Sequence, residues 1–108
     1  MIYELRIYEC IVGRLPNLNK RFSEHTCALF EKHGIKNVGY WTNLVGPRNN
    51  DLIYLVAFED MGQRERAWAS FQADPEWQAA KAASEEDGLI VKNVSNQILA
   101  ATPYSPLQ

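Results

Sequence analysis

Apolar and polar residues alternate along the first segment of the chain, residues 2–12. The two alternating sets are Tyr3, Leu5 and Ile7 on one side, and Ile2, Glu4, Arg6, Tyr8 and Cys10 on the other. A period of two in a segment rich in Ile, Tyr and Val is typical of a β-strand. We therefore predict a first strand over Ile2–Val12, ended by Gly13.

The period changes to that of a helix between Pro16 and His33. The predicted apolar stripe consists of Leu18, Phe22, His25 and Leu29, and Arg21, Glu24, Cys27 and Lys32 lie on its flanks or far side. Proline suits the first position of a helix, where its missing N–H costs nothing, and Gly34 suits a left-handed stop. The pattern thus predicts a helix that buries one histidine.

Two further strands are predicted around a turn over residues 46–51, which contains Gly, Pro, Asn and Asp. The strand before the turn spans Ile35–Val45, and the strand after it spans Leu52–Phe58. The later strand does not alternate, because Leu52, Tyr54, Val56 and Phe58 oppose Ile53, Leu55 and Ala57. It is predicted to be apolar on both faces.

The second half of the chain predicts two helical pieces and a last strand. Asp60 with Gln63 three residues later forms a capping box ahead of the apolar residues Ala67, Trp68 and Phe71. Asp74 and Pro75 begin the second piece, which Gly88 ends. A fourth strand follows over Leu89–Leu99, and prolines 103 and 106 mark an irregular tail.

This order of elements, βαββαβ, predicts an α+β fold: a ferredoxin-like sandwich with an antiparallel sheet. Right-handed crossovers place both helical layers on one face of the sheet, which leaves the other face uncovered. Since the third strand is apolar on both faces, we expect a second copy to cover that face and complete a dimeric α/β barrel. Glu4 and Arg6 are expected as paired charges in this interface.

Composition narrows the classes of protein to consider. A chain of 108 residues fits one domain over 1–108, and its net charge of −2 gives no basic excess for nucleic acid. Cys10 and Cys27 are too few and wrongly spaced for a disulfide framework, which favours a reducing compartment. No stretch reaches eighteen uncharged apolar residues. We therefore expect a soluble, cytoplasmic protein with no membrane partner.

His25 is the candidate for chemistry, because an ionisable group on a buried stripe needs a partner. It could act as a general base or as the axial ligand of a haem held between sheet and helix. It could equally donate a structural hydrogen bond to a backbone carbonyl or a tyrosine. His25 and His33 are about 12 Å apart along a helix and cannot chelate one metal directly. No metal site is predicted.

Aromatic residues with polar tips are the second candidate feature. Such side chains can line a small-molecule pocket between sheet and helices, although they are also ordinary core residues. The predicted ligand-binding residues are Tyr8, Trp41 and Trp68, and Tyr40 joins His25 as a predicted catalytic residue.

Several short blocks resemble the NIPSNAP domain family of the dimeric α/β-barrel superfamily. They are Tyr3-Glu4-Leu5-Arg6, Gly13 with Leu15-Pro16, His33-Gly34, Val38-Gly39-Tyr40-Trp41, Gly46-Pro47 with Asn49, Arg64-Glu65-Arg66, Asp74-Pro75-Glu76-Trp77, and Pro103-Tyr104-Ser105-Pro106. The resemblance implies the fold and a homodimer, and it transfers no catalytic residue. Its superfamily includes cofactor-free monooxygenases, haem-degrading enzymes, haem peroxidases and isomerases.

Three hypotheses of different classes follow. The first is a domain that binds a small apolar or aromatic molecule near His25, Tyr8, Tyr40 and Trp68, with or without a cofactor-free oxygenase or isomerase activity. It requires no cofactor. The second is a haem-binding protein with His25 as the ligand. The third is a non-catalytic module for protein interaction.

Overall fold

One antiparallel sheet of four strands carries all the helices on a single face. The computed structural model describes residues 1–108. The elements are β1 (Ile2–Cys10), α1 (Leu15–Arg21), a π-helical turn (Phe22–Thr26), α2 (Cys27–Lys32), β2 (Lys36–Thr42), β3 (Asp51–Phe58), α3 (Met61–Ala73), α4 (Pro75–Ser84) and β4 (Val91–Ala100). The strands lie in the order β2-β3-β1-β4. The predicted ferredoxin-like βαββαβ plan is confirmed.

The strand boundaries differ from the predicted ones by a few residues. The largest difference is at β2, which ends at Thr42 rather than Val45. Leu44 and Val45 are almost fully exposed in the loop that follows β2. Their apolar side chains were therefore misleading as a sign that the strand continues. Single exposed apolar residues are normal on protein surfaces and carry little information about secondary structure.

The first helical layer contains a π-helical turn that the sequence did not predict. At this turn the N–H of Cys27 donates to the carbonyl of Phe22, five residues back. A wider turn accommodates one additional residue and rotates everything that follows it around the helix axis. As a result Thr26 points into the core and His25 does not. Leu18, Phe22 and Leu29 of the predicted stripe are buried as expected, so the prediction is wrong for His25 alone.

The predicted helix starts in the second half of the chain are confirmed. The side chain of Asp60 accepts a hydrogen bond from the N–H of Gln63 at 2.8 Å, and that of Asp74 accepts one from the N–H of Glu76 at 2.8 Å. Pro75 occupies the first position of α4. These caps satisfy N–H groups that have no partner within their own helices.

The core lies between the sheet and the helices and is strongly aromatic. Tyr54 at its centre is fully buried and stacks on Tyr40 with ring centroids 5.1 Å apart. Phe22 and Phe30 also contact the Tyr54 ring, with ring centroids 5.2 and 6.1 Å away. Since aromatic pairs add stabilisation beyond their buried area, this cluster fixes the distance between the helices and the sheet.

The opposite face of the sheet has no covering layer except near its edge, where the Tyr3 hydroxyl donates to the C-terminal Gln108 carbonyl. In the pairing register, Leu5 and Ile7 lie beside Leu55 and Ile53 on this face, and all four are only partly buried. The prediction that β3 is apolar on both faces is therefore confirmed. We call this surface the outer face.

Candidate functional site

A cavity of about 280 Å³ lies between the helix side of the sheet and the helices. Nine of its fourteen lining residues are hydrophobic. The lining comprises Tyr8, Arg21, Phe22, Thr26, Phe30, Trp68, Phe71, Gln72, Trp77, Lys81, Glu85, Leu89, Val91 and Val94. An apolar cavity with a few polar groups is the usual form of a small-molecule site, and this volume is about twice that of a cavity that holds benzene.

A fully buried carboxylate, Glu4, supports one wall of this cavity. It accepts two hydrogen bonds from Arg64 at 2.8 and 3.1 Å, and one from Arg6 at 2.8 Å. The indole N–H of Trp68 and the amide of Asn96 donate to it at 3.0 and 2.9 Å. Burial alone would raise the pKa of Glu4, but these hydrogen bonds outweigh it and lower the pKa to about 2.

This carboxylate corrects one expectation. Glu4 and Arg6 are paired, as predicted, but they lie on the helix side of the sheet and not on the outer face. The residue between them, Leu5, occupies the outer face instead. Glu4 therefore orients Trp68, and it leaves the rest of Arg6 free to reach other groups.

Arg6 connects this carboxylate to two tyrosines. Its Nε donates to the Tyr54 hydroxyl at 2.8 Å and its Nη2 donates to the Tyr8 hydroxyl at 3.3 Å. Tyr54 donates in turn to the Tyr8 hydroxyl at 3.0 Å, since the fully buried Tyr54 has no other acceptor. Burial and the neighbouring Tyr8 raise the pKa of Tyr54 well above its ordinary value. Tyr8 thus accepts two hydrogen bonds, and its own O–H group can donate a third to a molecule in the cavity.

The cavity also has a cationic wall. Arg21 is 5% exposed, and its guanidinium lies 5.4 Å from the ring centroid of Trp77. One nitrogen donates to the Ser84 hydroxyl at 3.2 Å, whereas Nε is buried without a partner. Burial lowers the pKa of Arg21, and the charge of Glu85 opposes that shift. Sequence reasoning placed Arg21 on a flank of the helix and so missed its place in the site.

Two of the predicted site residues line the cavity, namely Tyr8 and Trp68. Tyr40 faces the same side of the sheet but does not line the cavity, because it stacks behind Tyr54 and contacts Phe22. Its hydroxyl donates to the side chain of Asn37, and burial raises the pKa of Tyr40 above the ordinary value of a tyrosine. Tyr40 is placed as a core residue.

The structure contradicts the expected position of Trp41. Its neighbour Tyr40 points toward the helices, so the alternation of the strand puts Trp41 on the outer face. There the indole lies flat over Gly39, where an added Cβ would be 2.5 Å from the ring. Trp41 is 53% exposed and has no part in the helix-side cavity.

The structure also contradicts the expected burial of His25. The π-helical turn rotates its side chain outward, where it is 48% exposed and lies 3.9 Å from Glu24. His25 lines a separate, open groove between α1 and α4 together with polar residues such as Asn17 and Asp87. It is not in a position to contact a molecule in the helix-side cavity.

Two structural findings concern metals and membranes. No three side chains of the types His, Cys, Asp and Glu are grouped so that they could hold a metal ion. None of the helices combines the length and the apolar character that a membrane span requires.

Solved structures of similar proteins cover almost the entire chain. Protein Atu4242 from Agrobacterium tumefaciens is 27% identical, with a TM-score of 0.88 and full coverage of both chains. A NIPSNAP-like domain protein from Burkholderia xenovorans is also 27% identical, with a TM-score of 0.84 over 97% of this chain and 88% of that one. No curated protein sequence matches the chain at a significant level.

A more distant similarity concerns the fold alone. SnoaB, a cofactor-independent oxygenase from Streptomyces nogalater, is 14% identical, with a TM-score of 0.63 over 97% of this chain and 96% of that one. The family model that matches the sequence is NIPSNAP, over residues 3–106. The chain therefore belongs to the NIPSNAP family.

Proposed function

We propose that this NIPSNAP protein binds a small, largely aromatic molecule in the cavity between sheet and helices. The observation that supports this most strongly is the preformed cavity of about 280 Å³, with Trp68 and Trp77 in its walls. Glu4 accepts the indole N–H of Trp68, and four further hydrogen bonds hold Glu4 itself, so the ring is fixed in place without a ligand. Because the walls are fixed in advance, a ligand would lose little affinity to ordering of the site.

Calorimetric titration with 2-naphthol, a neutral two-ring probe, tests this proposal. We expect binding with a negative heat-capacity change, as burial of apolar surface produces. Trp77→Ala removes a lining ring and should weaken binding by about tenfold or more, whereas Trp41→Ala on the outer face should leave it unchanged. Absence of heat with the native protein, or equal weakening in both variants, would contradict the proposal and favour an interaction module.

The second part of the proposal is acid chemistry at Tyr8, as in a cofactor-free isomerase or oxygenase. The O–H group of Tyr8 lies at the cavity wall and donates to no group of the protein, while Arg6 and Tyr54 both donate to its oxygen. It could donate that proton to a ligand carbonyl while Glu85, the one carboxylate in the lining, takes a proton from the adjacent carbon. The result is an enol, from which either reaction class can proceed.

Exchange of the α-protons of 2-tetralone for deuterium, followed by NMR, measures this step. We expect the protein to accelerate the exchange and Tyr8→Phe to reduce that acceleration by about 100-fold, a typical loss for a general acid. Tyr104→Phe is the matched control, because Tyr104 is 86% exposed in the C-terminal tail. Exchange at the rate of buffer, or an undiminished rate in Tyr8→Phe, would exclude this role.

We further propose that a second copy covers the outer face. Leu5, Ile7, Ile53 and Leu55 form an apolar surface there, and Trp41 extends it over β2. A standard interface buries about 1,600 Å² over both partners. Roughly half of that area is apolar, which would contribute about 20 kcal/mol at about 25 cal/mol per Å². Association costs about 4–15 kcal/mol, so such an interface is stable.

Sedimentation at micromolar concentration tests the dimer. Ile53→Lys should shift the protein to monomer, because it places an unpaired charge in the centre of the outer face. Asn19→Lys adds the same charge on the exposed surface of α1, on the helix side of the sheet, and should leave the dimer intact. A native protein that sediments as a monomer would refute this part of the proposal.

A further inference from the structure

Arg21 is a buried cation for which the folded chain provides no ion-pair partner. It is 5% exposed, no carboxylate oxygen lies within 4.0 Å of it, and its Nε has no hydrogen-bond acceptor. Transfer of a charged group from water to such a position is costly unless a counter-charge compensates it. The partly buried Arg6 and Arg64 differ from Arg21, because both pair with Glu4.

The surroundings of Arg21 indicate where a counter-charge would come from. Arg21 and Trp77 line the same cavity, and the guanidinium lies 5.4 Å from the centroid of the indole ring. Arg21 also borders the open groove that contains His25 and Ser84, but none of the carboxylates of that groove lies within 4.0 Å of it. The only other charged residues in the lining are Lys81 and Glu85. With two cations and one carboxylate the lining has a net charge of +1, which a monoanion would neutralise.

The cavity lining contains two chemically different sets of residues. The rings of Phe22, Phe30, Phe71 and Trp68 supply apolar surface, and Arg21 and Lys81 supply positive charge. The flat guanidinium matches the two oxygens of a carboxylate, and a phosphate monoester would carry excess charge for a site of +1. The cavity therefore suits an aromatic group of about two rings that carries one carboxylate.

We infer that the natural ligand is a small aromatic carboxylate and that Arg21 binds its carboxylate group. This inference rests on the proposed function, since it names the chemical class of the molecule in the same cavity. An uncharged aromatic molecule could bind the apolar lining without contacting Arg21, whereas an aromatic carboxylate would bind Arg21 directly.

A pair of probes that differ only in charge tests the inference. By calorimetry at pH 7, 2-naphthoate should bind the native protein at least about tenfold more tightly than neutral 2-naphthamide, as expected for hydrogen bonds to a charged group. Arg21→Met should remove this preference by weakening 2-naphthoate binding alone. Lys20→Met removes the same charge from the next residue, which is exposed and outside the cavity, and should change neither affinity.

The outcomes separate this inference from the proposal on which it rests. Equal affinities of the two probes for the native protein would overturn the role of Arg21 and leave the cavity as a binding site. Absence of binding by either probe would overturn both. If Arg21→Met weakens both probes equally, Arg21 only supports the cavity wall, and the inference is wrong. The comparison of probes on native protein needs no variant, so it holds even if Arg21→Met fails to fold.

Discussion

Glu4→Gln removes the charge of the buried carboxylate beneath the cavity while preserving the shape of its side chain. In the native protein this carboxylate accepts five hydrogen bonds, two of them from Arg64 and one from Arg6. The variant places an amide N–H₂ group against these donors and leaves two cations without their shared counter-charge. Removal of one partner from a buried ion pair typically costs about 3–5 kcal/mol.

The lowered pKa of Glu4 expresses the stabilisation by these same hydrogen bonds as a free energy. Its value falls from the ordinary 4.5 to about 2 in the folded protein. A difference of about 2.5 units corresponds to about 3 kcal/mol, in agreement with the loss expected for the variant. Because the folded pKa is depressed, this contribution is fully present above about pH 5 and is lost as the pH falls toward 2.

Urea unfolding at fixed protein concentration measures both effects. At pH 7 the midpoint for Glu4→Gln should fall by about 2 M, given a slope of about 1.5 kcal/mol per M. Between pH 5 and 2 the native protein should lose about 3 kcal/mol more than the variant, which has no carboxylate at this position. Glu59→Gln, an exposed residue whose side chain makes no ion pair, is the control and should behave like the native protein.

Two results would refute this reasoning. A midpoint for Glu4→Gln within about 0.3 M of the native value would mean that the two arginines find other partners or water. An acid transition that is identical in native protein and variant would mean that the carboxylate is not held in its charged form by the fold.

Three further predictions concern other parts of the chain. Gly34→Ala should lower the free energy of unfolding by about 1–2 kcal/mol, because position 34 has φ +80° and a Cβ there would lie 3.2 Å from the Gln63 side chain. Gly62→Ala in α3 is the control and should leave that free energy unchanged in the same urea assay. If haemin produces a Soret band with this protein, His25→Ala should leave the band unchanged, because the exposed imidazole of His25 lies outside the cavity. Loss of the band in this variant would restore the hypothesis that His25 is a haem ligand. Burial raises the pKa of the Cys10 and Cys27 thiols, so both should react with a disulfide reagent about tenfold more slowly in native protein than in urea. Equal rates in the two conditions would show that the thiols are accessible.

The fold could be predicted from the sequence because its signals are local and agree with one another. The period of two in β1, the caps at Asp60 and Asp74, and the two apolar faces of β3 each correspond to an observed feature. Each depends on residues within a few positions of one another, which is the range over which hydrophobic period and capping act.

The candidate site was predicted less well, and the reason is physical. A single π-helical turn changes which residues of the first helical layer face the sheet, and nothing in the periodicity of Phe22–Thr26 announces it. The turn moves His25 outward, and the structure places Arg21 at the cavity wall. The pairing of Glu4 with Arg64 spans sixty positions in the sequence and depends on how α3 lies against β1. Of the five site residues predicted from residue type and position, only Tyr8 and Trp68 line the cavity.

The most direct test of the central claim is a ¹⁵N–¹H spectrum of the three tryptophan indoles, recorded with and without 2-naphthoate. Trp68 and Trp77 line the helix-side cavity, whereas Trp41 lies on the outer face and reports on binding elsewhere. The proposed site predicts that the indole signals of Trp68 and Trp77 shift in a saturable manner while that of Trp41 stays in place. A shift confined to Trp41, or saturation without any change at Trp68 and Trp77, would contradict the assignment of this cavity as the ligand site.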